Sequence, residues 1–163
     1  MEIVDVGVDD TRLSEVFRVL VQLRPHIDEP GFRQIYLAGH AEGLRFTGVF
    51  EESRCVAVAG WRIVNTTFAI RKLTIDDLVT DAAARSKGHG HALMEYLVRV
   101  ATAAECTLLD LDSGVQRFAA HRFYLRERMN IAAHHFNLPL GPGTATPPQF
   151  QGTPERSLAW RQV

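Results

Sequence analysis

The 163-residue chain is short of cysteine, has no long apolar run and carries no surplus of either charge. Each shortage removes a class of protein. With two cysteines, Cys55 and Cys106, each inside an apolar strand-like run, a disulfide framework is excluded and both read as small packed thiols. Eighteen Lys and Arg against 19 Asp and Glu leave a net charge of -1, so this is not a polycation that coats nucleic acid. No apolar stretch approaches the roughly 20 residues that span a bilayer, so no membrane partner is expected. The opening, MEIVDVGVDD, is acidic and strand-like, unlike a signal or transit peptide, and a cytoplasmic location is expected.

What is present reads as one α+β domain. Glu2 to Val8 alternates as a strand, and Leu13, Val16, Phe17, Leu20 and Leu23 share one helix face that stops before Pro25. A second helix is expected after Pro30, with Phe32, Ile35 and Tyr36 as its stripe. Three strands follow: Leu44 to Phe50, Cys55 to Val64 across a Glu51–Arg54 turn, and Leu73 to Thr80. Helical spacing returns from Gly88 to Glu105. A strand over Cys106–Leu111, a helix over Arg117–Arg128 and a strand over Asn130–Leu138 complete the order β-α-α-β-β-β-α-β-α-β. That order predicts a mixed, mostly antiparallel sheet with helices on both faces. Residues 1–140 are expected to form the domain. Residues 141–163 read as a Pro/Gly-rich loop and a C-terminal segment whose Arg156–Val163 run suits a last strand.

Arg85-Ser86-Lys87-Gly88-His89-Gly90-His91 is the most informative segment. It links a strand to a helix, where the first free N–H groups of the helix converge and its dipole favours negative charge. The glycines admit a ligand close to the backbone, and Arg85 and Lys87 add positive charge. Together they read as a pyrophosphate cradle. Two rival loops fail: Leu93 stands where a dinucleotide fingerprint needs a small residue, and the lysine precedes the glycine instead of following it as in a Walker loop.

Leu78-Val79-Thr80 followed by Arg85-x-x-Gly88-x-Gly90 and a helix resembles motif A of the GNAT superfamily of N-acetyltransferases. Downstream, Ala120-His121-Arg122-Phe123-Tyr124 looks like that family's motif B. Leu111–Arg117 and His134-His135-Phe136 resemble a subgroup of small bacterial members. The resemblance implies the acyl-CoA N-acyltransferase architecture, acetyl-CoA as co-substrate, no metal, and a primary amine, small-molecule or peptide, attacking directly in a ternary complex.

It also implies roles. The pyrophosphate would rest on the N–H groups of Arg85, Ser86, Lys87, Gly88, His89, Gly90 and His91. The pantetheine arm would pair with Leu78, Val79 and Thr80 as an added strand. Tyr124 would protonate the departing thiolate. A free alkylamine is mostly protonated at neutral pH, so a base is needed. Asp76 is the preferred base and Asp77 the holder of a cationic acceptor, by similarity to polyamine-type members. Alternatively, either acid only pairs with Arg62, Arg71 or Lys72. A regular strand turns neighbours to opposite faces, so both acids serve one cleft only if the strand bulges.

The chain departs from the family pattern twice: Arg117 replaces a common asparagine seven positions before Tyr124, and Arg128-Met129 replaces a Gly-Phe pair. Among seven histidines, His89 and His91 lie in the loop, and the adjacent His134 and His135, on an expected strand, would point apart, so no metal site is expected. A homodimer is compatible with the family, many of whose members pair through terminal strands. The reading from another class is a non-catalytic coenzyme A sensor with the same fold.

Overall fold

The computed structural model describes residues 1–138. Five strands form one sheet in the order β1 (Glu2–Val6), β2 (Arg45–Glu51), β3 (Arg54–Thr66), β4 (Ile70–Thr80) and β5 (Leu108–Leu111). Neighbours from β1 to β4 run antiparallel; β5 runs parallel to β4. The expected mixed, mostly antiparallel α+β sheet is therefore present.

The helices follow from local chemistry. In α1 (Leu13–Leu20) the apolar positions fall on one face, with Leu13, Val16, Val19 and Leu20 buried. Asp28 caps α2 (Glu29–Ala41) by accepting the Gly31 N–H at 2.8 Å, and Pro30 sits in the first turn, where its missing N–H costs nothing. These two helices cover one face of the sheet, packing Phe32 and Tyr36 against Phe46, and Tyr36 donates its hydroxyl hydrogen to Val6 O at 2.7 Å. On the other face, α3 (His89–Ala103) buries Leu93, Met94, Leu97 and Ala101 against Ala57, Ala59, Trp61, Leu73 and Ile75. Phe123 of α4 (Phe118–Arg126) and Met129 join that second core.

One expected element differs. Asn130–Leu138 forms no strand: Ile131 and Phe136 are 78% and 89% exposed, and the segment adds no ladder to β5. An apolar run becomes a strand only when its N–H and C=O groups reach a partner, and here none is reached among the described residues. His135 instead pairs with Asp112 at 3.1 Å. With no strand there, no pleat holds His134 and His135 to opposite faces. The expected loop 141–154, the terminal run Arg156–Val163 and the boundary at residue 140 lie outside the described residues. No helix among those described is long and apolar enough to cross a membrane.

Candidate functional site

The sheet forks within β4. Its ladder with β5 ends at Ile75↔Leu111, so Asp76 to Thr80 have no neighbour on that side among the described residues. On the β3 side, Gly60 pairs with Asp77 and Trp61 with Ile75, which leaves Asp76 as the extra residue of a β-bulge. Fork and bulge thus coincide. Below them, the Lys72–Asp110 ion pair at 2.6 Å and the Thr107 N–H bonded to Arg71 O at 2.9 Å hold β4 and β5 together. Along an antiparallel ladder alternate residues turn their N–H and C=O away from the partner, so the stretch Leu78-Val79-Thr80 offers free backbone groups to the gap.

The bulge also decides where the acids point. Arg62 of β3 lies on the α1 face, because its neighbours Trp61 and Ile63 pack on the α3 face. Its Nε donates to Asp76 Oδ2 at 2.7 Å. Arg24, just beyond α1, donates Nε–H to Asp77 Oδ1 at 2.7 Å and Nη2–H to the Asp76 carbonyl at 3.0 Å. Both carboxylates therefore serve one face, as only a bulged strand allows. They are not equivalent. Asp77 is 14% exposed and its Oδ2 lies against Gly60, where a methyl group would come within 3.0 Å. Burial pushes its carboxyl up, against the opposing pull of Arg24. Asp76 is 35% exposed, and its Oδ1 has no partner among the described residues. The pairing with Arg62 weighed from sequence is real for Asp76; the partner of Asp77, 53 positions away in the chain, was not foreseen.

The expected cradle follows β4. Gly88 caps α3 at φ +87°, in the left-handed region that glycine adopts without strain, and Ser86 takes φ +63°. The first helical bond runs from Ala92 N–H to Gly88 O, and no N–H from Arg85 to His91 finds an acceptor among the described residues. Successive free amides around left-handed residues form a concave anion site. A methyl at Gly90 would stand 3.4 Å from Phe123 Cζ and 3.5 Å from Thr80 Oγ1, ordinary contacts, so the protein itself leaves room there. Arg85 and Lys87 are exposed and pair with no acid among the described residues. The His89 ring is turned into the core: it is 3% exposed, with Nε2 3.4 Å from Glu51 Oε1. The exposed His91 donates Nδ1–H to Glu127 Oε2 at 2.8 Å, and that hydrogen bond raises its pKa.

Asp81 anchors the cradle to the rest of the fold. Its carboxylate accepts from Arg18 at 2.7 Å, from Arg54 at 3.2 Å and from the Ala83 N–H at 3.1 Å, opening the short 3-10 turn Ala82–Ala84. Gln22 accepts the Ala82 N–H at 3.0 Å. The Arg18 guanidinium, with the Ala83 N–H, holds Asp81 well below the usual carboxylate range. Sequence reasoning missed this residue, although an Asp between a strand and a turn is a recognisable cap signal.

α4 reaches the cradle through Phe123 at Gly90 and through Glu127 at His91. Tyr124 is half-buried beside Phe123, ring centroids 5.5 Å apart, and its hydroxyl bonds to no other described residue. Burial pushes the phenol above its ordinary pKa, with Arg117 pulling the other way. The Arg117 that departs from the family pattern caps α4 and lies close enough to Tyr124 to be felt.

A fork, a bulge at its apex and a row of free amides beyond it leave an open strand edge leading to backbone donors suited to an anion. The profile of the acetyltransferase (GNAT) family matches residues 13–129. The chain is 31% identical over 112 residues to the uncharacterised N-acetyltransferase YhdJ of Bacillus subtilis (strain 168), covering 68% of this chain and 79% of that one. Among solved structures, it resembles a ribosomal-protein-alanine N-acetyltransferase from Brucella melitensis (TM-score 0.74, 13% identity, 86% of this chain and 100% of that one). It also resembles an integron cassette protein of V. cholerae (TM-score 0.71, 18% identity, 88% and 93%). Likeness at those identities concerns the fold alone, whereas the profile match spans most of the chain: the protein belongs to the acetyltransferase (GNAT) family.

Proposed function

We propose that the protein transfers an acetyl group from acetyl-CoA to a primary amine, small-molecule or peptide, by direct attack in a ternary complex. The observation that carries this reading is the conjunction of the β4–β5 fork with the unpaired amides of Arg85 to His91. When bound, acetyl-CoA supplies an activated acyl group. The chain's own residues do the rest. Leu78, Val79 and Thr80 would hold the pantetheine arm by strand addition, and the cradle amides with Arg85 and Lys87 would hold the phosphates. A free N–H on the bulged strand, aimed at the carbonyl oxygen, would be worth about 3 kcal/mol to the transition state. Asp76, exposed and with Oδ1 unshared, is the better candidate for taking the amine proton, directly or through water; Asp77 is the supporting charge. Tyr124 would donate a proton to the departing thiolate, since a neutral phenol can do so without first acquiring one.

Two measurements test the reading. Calorimetry with acetyl-CoA and with coenzyme A should show binding, and thiol release should rise with amines from a broad panel. Binding with no turnover on any amine would favour the sensor reading over the enzyme. No binding at millimolar concentration would overturn both.

A further inference from the structure

From the polyamine-type resemblance, the adjacent acids lean toward a cationic acceptor. The structure gives the opposite reason to choose. Arg24, Arg62, Asp76 and Asp77 make one cluster whose two positive and two negative charges cancel. Asp77 is committed: one oxygen is held by Arg24, and the side chain is only 14% exposed, with Oδ2 turned toward Gly60. Asp76 and Arg62 are accessible, 35% and 30% exposed, and each keeps hydrogen-bonding capacity: Oδ1 on the acid, and both terminal nitrogens of the guanidinium, have no partner among the described residues.

A purely cationic acceptor would bind Asp76 only by displacing Arg62, or by sitting beside it. Either way a positive charge is left facing positive charge. A compact zwitterion meets no such penalty, because its ammonium can take Asp76 while its carboxylate takes the planar fork of Arg62. Each charge then exchanges one partner for another. Resting on the transferase reading, we propose that the acceptor is an amine carrying a carboxylate a few bonds away, of the amino-acid class, with Arg62 as the residue that reads the carboxylate. The placement suits the chemistry: Asp76 stands at the apex of the fork, so an ammonium held there lies beside the path of the pantetheine arm.

The test compares α-amino acids, β-alanine and γ-aminobutyrate with their carboxamides and their decarboxylated amines, by thiol release. The expected result is a higher kcat/KM for the zwitterions. In Arg62→Gln that preference falls by about tenfold or more, the worth of a charge-assisted contact, chiefly through the KM of the zwitterion. Diamines should gain in the same variant, because Asp76 is then bare, and Arg62→Lys should restore part of the preference. The KM for acetyl-CoA should not move in any of them. Turnover confined to diamines or uncharged amines, or an Arg62→Gln that lowers all acceptors alike, would overturn the inference while leaving acetyl transfer intact. Acetyl-CoA binding without turnover of any panel amine would also overturn it. Loss of acetyl-CoA binding by the unaltered protein would instead remove the transferase reading on which it rests.

Discussion

Gly90→Ala separates a glycine kept for a ligand from one kept for the fold. Gly90 is the second residue of α3, with helical geometry, and a methyl there makes only ordinary contacts of 3.4 to 3.5 Å with Phe123 and Thr80. Alanine should therefore stabilise the protein, by about 0.5–1 kcal/mol on helix propensity. For a domain of this size that is a rise in Tm of roughly 1–4 °C. The same methyl, within the Arg85–His91 run and 3.5 Å from Thr80 Oγ1, would narrow the space that a ligand passing from β4 to the free amides needs. Losing one charge-assisted hydrogen bond to a phosphate costs about 1.5–3 kcal/mol, so Kd for acetyl-CoA should rise by roughly 10- to 150-fold. Stability and affinity thus move in opposite directions, which neither general damage nor a purely structural glycine produces. Differential scanning fluorimetry and calorimetry on one preparation read both. Gly88→Ala is the contrasting case: at φ +87° a side chain strains the backbone, so Tm should fall, by about 1–2 kcal/mol of stability. A Gly90→Ala protein that melts higher and binds acetyl-CoA within about twofold of the original would refute the cradle at that position. One that melts lower would refute the packing argument.

Three further outcomes are expected. Arg24→Met strands the buried Asp77 carboxylate and should cost about 3 kcal/mol near neutral pH. Burial already raises the Asp77 pKa above its ordinary 3.8, so ionised Asp77 weighs against the fold as pH rises through that window. The penalty in Arg24→Met should therefore shrink on acidification, and Asp77→Asn in the same background should flatten it; urea titrations that find a constant cost from acid to neutral pH would contradict this. Tyr124→Phe should lower kcat by about 10²–10⁴ with little change in the KM of acetyl-CoA. Because burial raises the phenol above its ordinary 10.0, any loss of rate through its ionisation must lie above that pH; an alkaline limb below it that disappears in the variant would count against Tyr124 as the donor. Finally, burial pushes the Cys55 thiol up to about 12, so alkylation of the folded protein at about pH 8 should modify the half-buried Cys106 and spare Cys55 until unfolding. Equal rates at both would show that the core around Cys55 opens readily.

Local chemistry alone determined most of the elements and the loop with free amides that opens α3. The spacing in Leu13–Leu20 and Leu93–Ala101, and the strand–loop–helix run from Leu78 to His91 with its two glycines, act through neighbours in the chain, so they are legible there. Tyr124 was singled out only by motif resemblance, and its place beside Phe123 on α4 follows from helical spacing. Three things needed the tertiary structure. The bulge at Asp76 exists only as a mismatch between two ladders, and no local signal says which residue is extra. The pairing of Asp77 with Arg24, and of Asp81 with Arg18, spans more than fifty positions and depends on α1 lying across β4. The absence of a strand at Asn130–Leu138 is the converse case: its side chains suit a strand, but a strand is a relation between two segments. Amide capacity and helical spacing are properties of a stretch of chain. Charge compensation and sheet pairing are decided by what else the fold brings alongside.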